Sequence, residues 1–284
     1  MGHQTETKHQ NRIKMKAESI AIIGGGNLGV SIAEGLAESR LIPAENITVT
    51  RRNTHKIKHL TEKGIQTGSD NRAAVAGAQL VLLAVKPHQI KDILIQIKPD
   101  LQPGKHLLVS VVTGVSIADM QSVLGTEITI FRAMPNTAIA IRESMTCISS
   151  SSASEEQQQL VLQIFEQMGR AVMIDESLMA AATVLGACGI AFSMRFIRAE
   201  SQGGIEIGFN AEIAQLIAAQ TVRGAASLLL ERGQHPEWEI DKVTTPRGCT
   251  IAGLNEMEHQ GFSSSLIKGI TTSFKMIDDI AKTF

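Results

Sequence analysis

At 284 residues the chain is long enough for one large or two ordinary domains, and 43% hydrophobic residues suffice for a sizeable core. A formal net charge of −1 argues against a general nucleic-acid binder, and 3% aromatics without a tyrosine leave little for base-stacking platforms. Three scattered cysteines, Cys147, Cys188 and Cys249, fit neither a disulfide framework nor a C-x-x-C metal site and point to a reducing compartment.

The opening sixteen residues are polar and lack the apolar centre of a signal peptide, so residues 1–17 are expected to form a flexible tail. No stretch reads as a membrane span, because the apolar runs are strand-length or broken by charge. A cytoplasmic location follows as the expectation, with neither membrane nor nucleic acid as partner.

From residue 18 the pattern alternates between strand and helix. Ile20 to Ile23 is a short apolar run of buried-strand type. It runs into 24-GGGNLG-29, a G-x-G-x-x-G pattern with Gly24, Gly26 and Gly29. Val30, Ala33, Leu36 and Ala37 then recur at helical spacing. A glycine turn between strand and helix is the setting of a dinucleotide site. The first glycine allows the tight turn, the second lets backbone approach a pyrophosphate, and the third lets helix and strand pack closely. The helix start offers free N–H groups and partial positive charge to phosphate.

Ile47 to Thr50 is a second strand, and it ends Thr50-Arg51-Arg52-Asn53. An NAD site usually carries a carboxylate here for the ribose hydroxyl. This chain has two guanidinium groups instead, suited to a 2′-phosphate. NADPH is therefore expected, with NADH less favoured. Further strands are read at residues 79–85, 106–112, 127–131 and 144–148. The alternation predicts an α/β, Rossmann-like, doubly wound parallel sheet over residues 18–174. Asp175 and Glu176 read as a helix cap, and Glu155-Glu156 as a helix start.

After residue 174 the strand signal fades, and residues 175–284 are expected to form an all-α dimerisation and substrate domain. Helices are read at 177–197, at 211–230 behind an Asn210 N-cap, and at 264–284. Residues 202–208, with two adjacent glycines, read as the loop between the first two. These helices are apolar on more than one side, so a partner subunit is their simplest cover. Within 241-DKVTTPRGCTIAGLN-255, threonine hydroxyls and a glycine precede a helix start, an arrangement that can hold a carboxylate by main-chain donors. The histidines are scattered, and His88 and His235 read as loop residues.

Four segments together resemble the pyrroline-5-carboxylate reductase family. They are Gly24-Gly-Gly-Asn27-Leu28-Gly29, Ala84-Val85-Lys86-Pro87, Arg132-Ala-Met134-Pro135-Asn136-Thr137 and Val243-Thr-Thr245-Pro246-Arg247-Gly248-Cys249-Thr250-Ile251. The resemblance covers nearly all of the chain after the tail. It implies an interlocked homodimer, possible assembly into a larger ring, an active site shared between subunits, and NADPH-dependent reduction of a cyclic imine to L-proline. It assigns Gly24, Gly26, Asn27, Leu28 and Gly29 to the pyrophosphate turn. Thr50, Arg51, Arg52, Asn71, Ala84, Val85, Lys86 and Pro87 join the cofactor set, with Met134, Asn136 and Thr137 near the nicotinamide. Thr245, Pro246, Arg247, Gly248, Cys249 and Thr250 would hold the substrate, and Thr250 would hydrogen-bond the imine nitrogen. No metal is implied.

The chain departs from the family pattern in places. Arg247 stands where the family has glycine, Cys249 where it has a small residue, and Ala138 where it has proline. The family's S-G-S-G-P-A segment reads Gly186-Ala-Cys188-Gly189-Ile190-Ala191. Alternatives are a reductase of another cyclic imine and a non-catalytic NADPH-binding regulator. A β-hydroxyacid dehydrogenase relative would need a lysine on the helix at 177–197, which has none.

Overall fold

The structure, a computed structural model, describes residues 17–281, with side chains to residue 277. The tail expected over residues 1–17 lies outside the described residues except for Ala17, which is buried. The chain divides into two compact units, one ending at Gly186 and the other spanning Ala187–Asp278.

The first unit runs β1 (Ile20–Ile23), α1 (Asn27–Ser39), β2 (Ile47–Thr50), α2 (His59–Glu62), β3 (Gln66–Gly68), α3 (Asn71–Ala76), β4 (Leu80–Leu83) and α4 (Ile90–Ile97). It continues β5 (Leu107–Ser110), α5 (Ile117–Leu124), β6 (Thr129–Met134), β7 (Ser144–Ser150), α6 (Glu155–Glu166), β8 (Gly169–Met173) and α7 (Met179–Ala182). The strands form one sheet in the order β3-β2-β1-β4-β5-β6-β7-β8. Every residue of β1, β4 and β5 is buried, as expected of central parallel strands covered on both faces. Alternate residues feed two cores. Ile20, Ile22, Leu80 and Leu82 pack with Ile32, Leu36 and Phe165. Ala21, Ile23, Val81 and Leu83 pack with Val75, Leu94 and Met120.

Three expectations need correction. The sheet is not wholly parallel: β6 and β7 pair antiparallel, while every other pairing is parallel. The link between them, residues 135–143, holds only a 3-10 turn, Thr137–Ile141. A parallel crossover needs about a dozen residues or more. Two strands, β3 and β8, went unread; they are the two edges of the sheet and lack a buried apolar run. The third correction concerns membrane spans. By length and composition alone, helical stretches Glu176–Glu206 and Ala211–Arg232 are long and apolar enough to cross one.

The second unit contains α8 (Gly189–Glu206), α9 (Ala211–Arg232), α10 (Pro236–Val243), α11 (Cys249–His259) and α12 (Phe262–Ala281). A π-helical turn, Thr183–Cys188, precedes α8. The loop expected at 202–208 is mostly helix: Gln202 to Glu206 complete α8, and the turn begins at Ile207. Gly204 serves packing instead, since a Cβ there would lie 3.1 Å from the Ala214 Cβ on α9. Asn210 caps α9 as read, its side chain accepting from the Ile213 N–H at 2.9 Å. Phe196 and Phe262 meet edge to face, with centroids 6.0 Å apart, and join α8 to α12. Large apolar side chains remain exposed all over this unit, among them Met194, Leu216, Leu230, Trp238, Ile267 and Met276.

His106, before β5, is 1% exposed. Its Nδ1 accepts from the Gln102 N–H at 2.8 Å, and its Nε2 lies 3.2 Å from the Val75 carbonyl. Only the neutral Nε2–H tautomer satisfies both. Burial holds its pKa below the ordinary 6.5. Below pH 6.5 the unfolded chain takes up a proton that the folded ring refuses, so stability is full above that pH and declines on acidification. Melting curves from pH 7.5 down to 5.5 should show this decline, at most about 1.4 kcal/mol per pH unit from this group. His106→Gln should remove that component of the slope; an identical slope would exclude His106 as its source.

Candidate active site

β1, β2 and β4 end together, and the chain turns there with almost no free space. The Gly24 and Gly25 N–H groups both donate to the Thr50 carbonyl, at 3.1 and 2.8 Å. Gly24 has φ +114°, and a Cβ on it would fall 2.4 Å from the Ala84 carbonyl oxygen. A Cβ on Gly29, in the first turn of α1, would lie 2.1 Å from the Gly24 oxygen. Both glycines are therefore demanded by the fold. Gly26 is different. Its φ of −81° suits any residue, and a Cβ there would meet nothing within 4 Å. Among the described residues nothing requires a glycine at this exposed position, and its lack of a side chain leaves the start of α1 open. Asn27 is exposed beside it, and Leu28 packs partly on the core.

The end of β2 supplies cations to the same place. Arg51 Nη1 donates to the Gly25 carbonyl, so this guanidinium clamps the turn as well as charging it. Arg52 is exposed and makes no such bond among the described residues. Thr50 is buried, and its hydroxyl donates to Asn71 Oδ1 at 2.6 Å. Asn71 Nδ2 donates in turn to Gln96 Oε1 at 2.9 Å. Asp70 caps α3 through the Arg72 and Ala73 N–H groups, which sets Asn71 at the helix start. The glycine turn, Thr50, Arg51, Arg52, Asn71 and the β4 end at Ala84, Val85 and Lys86 line one cleft of about 500 Å³. Lys56, unremarked in the sequence, also faces it, and Asp92 is its one lining carboxylate. Pro87 lies just beyond, opening a 3-10 turn before α4.

Met134, Asn136 and Thr137 form a separate group at the end of β6. Met134 and Asn136 are 5% and 8% exposed, and only Thr137 is open to solvent. The Asn136 side chain is occupied by the fold. Its Oδ1 accepts from the Ala138 N–H at 3.0 Å, and its Nδ2 donates to the Gly186 carbonyl at 3.3 Å. Its backbone N–H donates to Ser144 Oγ at 3.1 Å. Sequence reading also missed an ion pair between a buried arginine and a half-buried glutamate: Arg132 Nη1 lies 3.0 Å from Glu176 Oε1. Glu176 had read as a helix cap, yet the cap is Asp175, which accepts from the Ser177 N–H at 2.8 Å. No periodicity announces a pair 44 positions apart.

In the second unit α10 ends at Val243 and α11 begins at Cys249, with Gly248 as its N-cap. The link is a tight turn in which the Gly248 N–H donates to the Thr245 carbonyl at 2.9 Å. Thr250 is half-buried in the first turn of α11, where helical N–H groups lack helical acceptors. Thr245, Pro246, Arg247 and Cys249 are exposed. Arg247 has φ +62°, a left-handed conformation that favours glycine. The departure from the family pattern thus sits where glycine is the natural residue.

Comparison with known proteins gives matches over most of the chain. Residues 176–279 match the family model described as pyrroline-5-carboxylate reductase dimerisation. Residues 19–114 match that of NADP oxidoreductases, coenzyme F420-dependent. Pyrroline-5-carboxylate reductase 2 of Dictyostelium discoideum is 45% identical over 272 residues, spanning 90% of this chain and 91% of that protein. The chain belongs to the pyrroline-5-carboxylate reductase family. Reductase 1 of the same organism is 46% identical over 92% of this chain, which spans 49% of that longer protein. Among solved structures, the Coxiella burnetii pyrroline-5-carboxylate reductase superposes with a TM-score of 0.89 at 29% identity, covering 94% of this chain and 99% of that one. The Plasmodium falciparum enzyme with NADP bound shares the fold, with a TM-score of 0.82 at 24% identity over 94% of this chain and 99% of that one. Both span-length helices fall within the family's dimerisation segment, which accounts for their exposed apolar surface without a bilayer.

The two roles of the turn glycines are separable. Gly26→Ala should leave stability unchanged within the ~0.5 kcal/mol of a neutral surface change, while weakening dinucleotide binding about tenfold or more. Gly29→Ala should destabilise the first unit outright, because backbone would have to move. Calorimetric melting and a dinucleotide titration on both variants check this; equal melting losses would refute the separation.

Proposed function

We infer that the chain reduces 1-pyrroline-5-carboxylate to L-proline with NADPH, the last step of proline biosynthesis. The observation that carries this reading is the 45% identity to a pyrroline-5-carboxylate reductase across almost the full length of both proteins. The cleft supports the cofactor. Gly26 leaves its backbone open, and Arg51, Arg52, Lys56 and Lys86 provide four cations against the single carboxylate of Asp92. No carboxylate ends β2 to prefer an unphosphorylated ribose. Arg52 and Lys56, beside the β2 end, take the 2′-phosphate, while Arg51 holds the turn. Asn27, Leu28 and Gly29 start the helix that faces the pyrophosphate; Asn71, Ala84, Val85 and Pro87 border the cofactor; Met134, Asn136 and Thr137 shape the nicotinamide end.

The bound dihydronicotinamide supplies the hydride. The chain supplies binding, orientation and a donor. The first N–H groups of α11 receive the substrate carboxylate, with Thr245, Pro246, Gly248 and Cys249 shaping the turn that presents them. Thr250 donates its hydroxyl to the imine nitrogen, where electron density rises as the C=N bond is reduced. A threonine hydroxyl is a weak acid, so water completes proton delivery. A second reading, a reductase of a different cyclic imine, is favoured by Arg247 and Cys249 on this same turn.

The exposed apolar side chains of α8, α9 and α12 support a homodimer. Three unpaired thiols suit the reducing cytoplasm, where we place the protein. Sedimentation should give twice the 30.5 kDa chain mass, and a ring of dimers would give a multiple of that value.

With purified protein, NADPH oxidation should require pyrroline-5-carboxylate and yield L-proline; activity confined to another cyclic imine would establish the second reading. Thr250→Ala should lower kcat roughly ten- to a thousand-fold. Arg52→Ala should raise KM for NADPH and leave KM for NADH unchanged. Arg51→Ala should raise both, because it also releases the glycine turn. Indifference of NADPH to Arg52→Ala would remove the 2′-phosphate assignment.

A further inference from the structure

We propose that Arg132 and Glu176 are positioning residues, a latch that holds the end of β6 in register for hydride transfer; this rests on the reductase reading above. The pair makes three structural commitments. Arg132 lies on β6, on the same strand face as Met134 two positions on. Glu176 receives the Arg132 guanidinium at 3.0 Å and the Ile117 N–H, from the first turn of α5, at 2.7 Å. It also begins the segment that runs through the π-helical turn Thr183–Cys188. A second bond, from Asn136 Nδ2 to the Gly186 carbonyl, ties the far end of the β6 group to that same segment. Met134 and Thr137 are thus bracketed by two polar ties to one stretch of chain, and π-turns recur at functional positions.

The chemistry of the pair speaks for position rather than stability. Arg132 is 9% exposed, yet its Nε has no partner among the described residues. The residue directly across the β6–β7 pairing is Ser149, whose buried Oγ is also unpartnered. A buried guanidinium with an unused donor is a poor way to stabilise a sheet. Its one good bond is aimed at a single carboxylate, which itself bridges to α5. An apolar residue would satisfy the core better, and only a need to fix these backbone segments against each other favours the ion pair.

The test uses Glu176→Gln, which keeps an acceptor for the Ile117 N–H and loses the charge, with Arg132→Lys as the second variant. Wild type and variants are compared by hydrogen–deuterium exchange of residues 134–141 and by steady-state kinetics with NADPH and its 4-deuterated form. The latch predicts several-fold faster exchange in that segment, with β1 and β2 unchanged. It also predicts kcat lowered about ten- to a hundred-fold, KM for NADPH within about threefold, and a larger isotope effect as transfer geometry loosens. Unchanged exchange overturns the latch, as does a loss of activity matching only the unfolded fraction. If Glu176→Gln does not fold, Arg132→Lys carries the same comparison. A wild type inactive on the imine would defeat the reductase reading, while the exchange comparison would still decide the latch.

Discussion

The cleft of the first unit depends on one close approach of backbone. Gly24, Thr50 and Ala84 come together at the ends of β1, β2 and β4, with two N–H donors on one carbonyl and no space for a Cβ. This contact fixes where α1 starts and so where its free N–H groups point. Arg51 braces it from the side through the Gly25 carbonyl. Side chains of the cleft can vary around such a frame, but the frame itself tolerates no added atom. The geometry of this turn follows from backbone crowding more than from any single charged group.

The second unit obeys a different constraint. Its helices hold their own hydrogen bonds but cannot hide their apolar surface within the unit; among described residues Ser201, Ala214, Ala218 and Ile277 are its buried ones. At roughly 25 cal/mol per Å² of apolar surface, leaving so many large side chains in water is costly, and a second copy removes that cost. The same composition passes a test for membrane-spanning length. Family membership separates the two explanations, since hydrophobicity by itself does not say which apolar medium a helix will meet.

Between these lies the short polar region at the end of β6. Asn136, Ser144 and Arg132 are buried polar groups and Glu176 is half-buried, and their bonds run between elements. Such ties are directional, unlike apolar packing, and so fix register as well as proximity. Asn136 shows how a residue can belong to a family motif and still be fully engaged by the fold: its amide caps the following turn and reaches Gly186. Arg247 is the opposite case, an exposed side chain in a backbone conformation that glycine would occupy without strain.

Much of this was legible in the sequence because it rests on local periodicity and on residue-specific backbone demands. The buried strands β1, β2, β4, β5 and β6 are apolar runs, the glycine turn is defined by spacing, and the Asn210 cap stands directly before its helix. The missing carboxylate after β2 was equally visible, since it concerns one position. The edge strands β3 and β8 were not legible, because their hydrogen bonds come from neighbours and their side chains carry no apolar signal. The antiparallel turn-back of β7 was hidden in a link too short for a crossover. Glycines at 203 and 204 looked like a loop, while helix-to-helix packing made them helix. The division of labour between Arg51 and Arg52, and the pairing of Arg132 with Glu176, depend on which distant backbone a long side chain reaches. Local spacing determined the elements and the chemistry they carry; only tertiary structure decided which donor meets which acceptor, because those partners lie 26 and 44 positions apart and meet through the sheet.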